Sequence, residues 1–200
     1  CFTSPLQAAW IANDGGGGGG GGLGMCCSPA EEFIIVGASY YLQSYSDFLL
    51  LLNESETGLI KGFNLNQALP IIESGLDKLL ASKENYSMAL AMIKKTVYDD
   101  AWLKALKTFD YKKLTEERHL YPQVMNQVAT FLTKGNVAGL YQQITDNLEG
   151  MITNLQALKE KALAGIPPEM EALRTLHQQN SDFMTFGYYA SLVFGSVKSL

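Results

Sequence analysis

The sequence predicts an all-α protein, an antiparallel bundle of about five or six helices behind a flexible, glycine-rich N-terminal extension. Three observations carry this. Val137, Tyr141, Ile144, Leu148, Met151, Leu155, Leu158 and Ala162 recur in alternating steps of four and three, a heptad seam. Leu173, Leu176, Asn180, Phe183, Gly187, Ala190, Phe194 and Val197 repeat the pattern in steps of three and four. Strand-like alternation is missing at any useful length, and no repeat of solenoid period is found.

The first helix is expected at Pro29. Ser28-Pro29-Ala30-Glu31 supplies an N-cap serine, a proline at the first helical position and a glutamate at the third. It should run to about Asn53, with Phe33, Ile34, Tyr40, Tyr41, Phe48 and Leu49 to Leu52 on a wide apolar face. Gln43 and Asp47 fall inside its apolar window, and an Asp at a bilayer centre costs about 2.5–3.5 kcal/mol. A bundle-core helix is therefore expected rather than a membrane span.

After the polar stretch 53–64, Leu65, Leu69, Ile72, Leu76 and Leu79 predict a second helix, with Pro70 near its start where the missing N–H is tolerable. A third segment from about Glu84 aligns Tyr86, Leu90, Ile93 and Val97. Asp99 or Asp100 is placed to cap a continuation through Trp102, Leu103, Leu106 and Phe109. Residues 114–121 read as a loop or a single turn before a helix that starts at Pro122 and stops at Gly135. Gly165-Ile166-Pro167-Pro168 separates the last two helices, whose short connection predicts antiparallel packing.

The division of the chain follows one break in composition. Residues 1–27 form an anchor or tether extension containing the Gly15–Gly22 run, and residues 28–200 form the helical domain. The run would span about 15 Å as a random coil. Fifteen Lys and Arg against 20 Asp and Glu give a net charge of −5, with only two arginines, Arg118 and Arg174, so nucleic acid is not an expected partner. The charged fraction is 18% and the hydrophobic fraction 47%, which favours a surface partly covered by a protein partner or by a second copy of the chain.

At the N-terminus, Cys1 is followed by Phe2-Thr3-Ser4-Pro5, a nearly uncharged stretch and the glycine run. This head resembles a mature bacterial lipoprotein, whose first Cys carries diacylglycerol on its sulfur. The resemblance covers about 25 residues, and the helical body resembles no family in this respect. It implies lipidation of Cys1, a membrane partner reached through that lipid, and a place in the bacterial cell envelope, periplasmic or outer-membrane associated. More than one acyl chain is needed for stable anchoring. A chain cut within a longer protein would also start on such a residue. Cys1 as an N-terminal nucleophile would require a layered sheet that the downstream pattern does not supply.

Other chemistry finds little support. Cys26 and Cys27 form no metal or redox motif, and small loop residues are the plainer reading. Glu116-x-x-His119 has the spacing of a di-iron half-site, but its second half is missing and Pro122 places His119 near a helix end. His177 has no nucleophile assigned to it by sequence. The glycine run lacks the Lys-Ser or Lys-Thr of a phosphate loop. No catalytic residue, metal or cofactor is therefore expected.

The candidate site is instead aromatic: Tyr40, Tyr41 and Tyr45 in the first helix with Phe183, Phe186, Tyr188 and Tyr189 in the last. Such side chains line apolar cavities or cover partners, because tyrosine joins a large apolar body to a polar tip. Two functions follow: a non-catalytic, lipid-anchored accessory or scaffold subunit of an envelope or surface assembly, or a bundle that binds an apolar small molecule or lipid. Asn180, on an apolar seam, is expected to be a locally hydrogen-bonded core residue.

Overall fold

The first helix, α1, is Pro29–Lys61, longer than its apolar pattern predicted. The polar residues beyond Asn53 contain no proline, so composition alone did not end the helix. The structure, a computed structural model, describes residues 29–61, 65–166 and 169–198. Cys1, the glycine run, Cys26 and Cys27 lie outside them. The division into extension and bundle is untouched by what is described.

Seven helices and no strand occur among the described residues. The elements after α1 are α2 (Leu65–Ile93), α3 (Asp100–Thr108), α4 (Tyr111–Glu117), α5 (Pro122–Leu132), α6 (Val137–Leu163) and α7 (Met170–Lys198). The expected break near Glu84 does not exist. Ser82 sits there fully buried and turned into the bundle, and α2 continues to Ile93; Pro70 lies inside the helix, near its start. Val97, expected on the apolar face, lies beyond the end of α2 and is 94% exposed.

α1, α2, α6 and α7 form an up-down-up-down four-helix bundle. On α1 and α2, Gly37 meets Ser82, Ser44 meets Gly75 and Asp47 meets Ser74 and Lys78, so the two run antiparallel. Lys83 pairs with Glu149, and Lys159 with Glu73 at 3.0 Å, so α6 runs against α2. Asn154–Gln179 at 2.9 Å and Lys161–Glu169 at 3.0 Å set α7 against α6, as the short connection predicted. Tyr41 on α1 reaches Asn180 on α7 and closes the ring of four.

The heptad seam of α6 is buried from Val137 to Ala162 apart from Tyr141, which is half-buried. The α7 seam is likewise buried apart from half-buried Phe194. The run Leu49 to Leu52 does not all face inward: Leu51 is buried and Leu52 half-buried, whereas Leu49 and Leu50 are exposed. Successive helical residues turn by about 100°, so four in a row cannot share a face.

α3 to α5 form the crossover between α2 and α6, packed beside the C-terminal half of α7. Asp99 caps α3 through the N–H groups of Ala101 (2.7 Å) and Trp102 (3.1 Å). Trp102 then stacks between Tyr98 and Phe194 of α7, at centroid distances of 5.0 and 5.9 Å. Where a loop or single turn was expected, Asp110 caps the helix α4 through Lys113 N–H at 2.9 Å. Pro122 opens α5 as predicted. The N–H of Tyr121, just before it, donates to the Tyr189 hydroxyl at 2.6 Å and ties α5 to α7. α5 ends at Leu132, and the chain turns at Gly135 with φ of +66°. No helix among the described residues is long and apolar enough to cross a membrane.

Candidate functional site

The structure divides the seven aromatic candidates. Tyr41, Phe183, Phe186 and Tyr189 are buried, Tyr45 is half-buried, and Tyr40 and Tyr188 are exposed. Heptad geometry explains the split. Tyr41 lies four residues after Gly37 and three before Ser44, on the inward face of α1, and Tyr40 is one step, about 100°, out of it.

Tyr41 and Phe183 are brought together with ring centroids 4.2 Å apart and planes tilted by 42°. Tyr86 of α2, outside the predicted set, meets Phe183 edge-on at 6.1 Å. These rings fill one another's faces where α1, α2 and α7 converge. Tyr45 continues the row at 6.4 Å from Tyr41 and from Phe48, and Phe48 stacks on exposed His177 at 6.3 Å. Tyr188 and Tyr189 are 6.0 Å apart, on the stretch of α7 that faces the crossover.

Polar groups inside this aromatic core are held individually. The Tyr41 hydroxyl donates to Asn180 Oδ1 at 2.9 Å and lies 3.1 Å from the Asn180 carbonyl. Asn180 Nδ2 donates to the Leu176 carbonyl at 2.7 Å, the local bond expected of it. The Tyr86 hydroxyl is different: it is fully buried and meets no hydrogen-bond partner among the described residues. Burial raises the phenol pKa values of Tyr41, Tyr86 and Tyr141. Tyr45 adds to this for Tyr41, Tyr141 and then Tyr41 for Tyr86, and Tyr98 and then Glu31 for Tyr141. All three are neutral at ordinary pH and serve as apolar bodies, and Tyr41 also bonds through its hydroxyl.

Comparison with protein-family models, with curated proteins and with solved structures found no match to this chain. The reading of the site therefore rests on its geometry.

The remaining candidates lie apart from the aromatic core. Glu116 and His119 are both exposed, and Glu116 faces Lys112 at 3.8 Å. His119 follows the end of α4 with φ of +52°, the helix-terminal position that Pro122 suggested. No group of three or more His, Cys, Asp or Glu suited to a metal occurs among the described residues. An open depression on α7 is lined by Glu171, Arg174, Thr175, Gln178 and Gln179, a polar set on one helix face.

Composition did not single out the small residues of the α1–α2 contact. A Cβ on Gly37 would stand 3.0 Å from Tyr86 Cδ2 and 3.2 Å from the Ser82 carbonyl, so the glycine makes room for the tyrosine. Gly37 and Ser44 are seven residues apart on α1, as are Gly75 and Ser82 on α2. That equal spacing is the signal in the sequence for the close approach.

Proposed function

We propose that the chain is a non-catalytic helical-bundle accessory or scaffold subunit of a bacterial envelope or surface assembly, attached to the membrane by lipid at Cys1. The observation that carries the scaffold part is how the aromatic set is spent. Tyr41, Phe183 and Tyr86 pack against one another, so contact area remains on the outside, where Val36, Tyr40, Leu49, Leu50, Leu80 and Met88 are exposed on α1 and α2. A protein partner or a second copy of the chain would cover such residues. The anchor part rests on the resemblance of the head to a mature lipoprotein.

Two measurements test the two parts. Intact mass of natively purified protein, with fragmentation of its N-terminal peptide, should reveal diacylglycerol plus acyl groups on Cys1; an unmodified Cys1 rejects the anchor. Chemical cross-linking in intact cells should capture a stable partner or a homo-oligomer through α1 and α2. Retention of the cross-link in a Tyr40→Lys, Leu50→Lys variant rejects that face as the interface. The apolar-ligand reading predicts a co-purifying lipid or small molecule in native mass spectrometry.

A further inference from the structure

We propose that the α3–α5 crossover docks on an anionic lipid surface. Residues 94–134 hold eight Lys and Arg against five Asp and Glu, although the whole chain is acidic at −5. Four of those five acids are engaged within the segment. Asp99 and Asp110 cap helices, and Glu116 and Glu117 face Lys112 and Lys113 at 3.8 Å. Lys95, Lys104, Lys107 and Lys134 are exposed and have no ion-pair partner among the described residues.

Two apolar side chains share the segment with these lysines: Val97 before α3 is 94% exposed, and Tyr121 before α5 is 71% exposed. Exposed cations in one segment with an exposed aliphatic and an exposed tyrosine suit a lipid headgroup layer. There tyrosine rings sit at the boundary, and lysine stems cover apolar surface while the ammonium stays with phosphate. Glu31 and Glu32 also begin α1 at this end, so the attraction belongs to residues 94–134 rather than to the whole end of the bundle.

The fold supplies an orientation. α1 begins at the same end of the bundle as the crossover, because it runs antiparallel to α2, whose last residue, Ile93, leads into the crossover. A lipid on the residues preceding α1 would hold this end against the bilayer, and the docking deepens the proposed envelope function in that sense. The surface contact itself needs no lipid on the protein.

The test uses the full chain carrying Cys1→Ser, sedimented with vesicles of phosphatidylcholine alone or mixed with phosphatidylglycerol. Binding is expected only to the mixed vesicles, falling as salt rises. Lys104→Gln with Lys107→Gln should lower the partition coefficient roughly tenfold or more. Lys159→Gln with Lys161→Gln, an equal change of charge at the opposite end, should leave it within about twofold. Circular dichroism confirms that each variant is folded. Absence of binding to the anionic vesicles, or equal loss in the two double variants, overturns the proposal. Because Cys1 is replaced throughout, an unmodified Cys1 in the native protein would reject the anchor and leave this result standing.

Discussion

The Ser82 hydroxyl of α2 donates to the Gly37 carbonyl of α1 at 2.7 Å, and one heptad along, Ser44 of α1 donates to Gly75 of α2 at 2.9 Å. The two bonds run in opposite directions between the helices, which is the arrangement two antiparallel helices with equal small-residue spacing produce. They hold α1 and α2 close enough for Tyr86 to lie against Gly37. Gly37→Ala would press a methyl onto the Tyr86 ring and onto the Ser82 backbone, and the backbone cannot swing aside. The expected cost is about 1–3 kcal/mol in urea unfolding. Gly75→Ala, whose Cβ would have 3.6 Å to its nearest neighbours, should cost less.

Tyr41 and Tyr86, both buried, should respond oppositely to loss of a hydroxyl. Tyr41→Phe removes the bond to Asn180 Oδ1 and leaves that oxygen buried without the cross-helix donor, a loss of about 1–3 kcal/mol. Tyr86→Phe removes a hydroxyl that has no partner, so stability should be unchanged or higher. Equilibrium unfolding of the two variants beside the parent gives the comparison. A loss of about 1 kcal/mol or more in Tyr86→Phe would mean that a bound water satisfies the hydroxyl.

Alkaline pH should unfold the bundle through its phenols. Tyr41, Tyr86 and Tyr141 have folded pKa values above the usual 10, and burial pushes Tyr111 up to about 12. In the unfolded chain these groups lose protons near pH 10, while in the folded chain they remain protonated. Stability from this source is therefore complete below about pH 10 and falls as pH rises through the folded values, by up to about 1.4 kcal/mol per pH unit for each such group. Tyrosinate absorbance and helical circular dichroism, followed together, should show these phenols ionising with the loss of helix. Ionisation of the buried set before any loss of helix would contradict the burial assigned to it.

The elements that the sequence disclosed were those with a long, regular seam. α6 and α7 repeat their apolar positions over about seven turns, and their antiparallel order followed from a four-residue break. The apolar pattern separates 65–79 from a segment starting near Glu84, whereas Ser82 between them is an inward side chain satisfied by a neighbouring helix. The seven residues of α4 are too few to display a period. The aromatic core was half legible: Tyr41 and Phe183 were named as candidates, but their contact and the Tyr41–Asn180 bond join positions 139 or more residues apart, which local pattern does not encode. Tyr86 is legible as an apolar seam position but not as a member of that cluster, because the room Gly37 makes for it belongs to a different helix.

Three helix ends use the same left-handed turn, and one of them lacks glycine. After α5, Gly135 has φ of +66° and Asn136 N–H reaches the Phe131 carbonyl at 2.9 Å. After α6, Gly165 has φ of +73° and Ile166 N–H reaches the Lys161 carbonyl at 2.9 Å. After α4 the same bond runs from Leu120 N–H to the Thr115 carbonyl at 2.9 Å, but the turning residue is His119 with φ of +52°. A Cβ in that conformation crowds the following carbonyl at a cost of about 1 kcal/mol, which glycine avoids. His119→Gly should therefore raise stability by up to about 1 kcal/mol, since the exposed imidazole has little packing to lose. Gly165→Ala should lower it by a similar amount; nothing lies within 4 Å of the added methyl, so backbone strain alone would account for the change. Thermal and urea unfolding of the two single variants and of the double variant should give opposite shifts that nearly cancel, because the turns close different helices and share no contact. Destabilisation by His119→Gly would instead assign the imidazole a contact that outweighs the strain of its backbone.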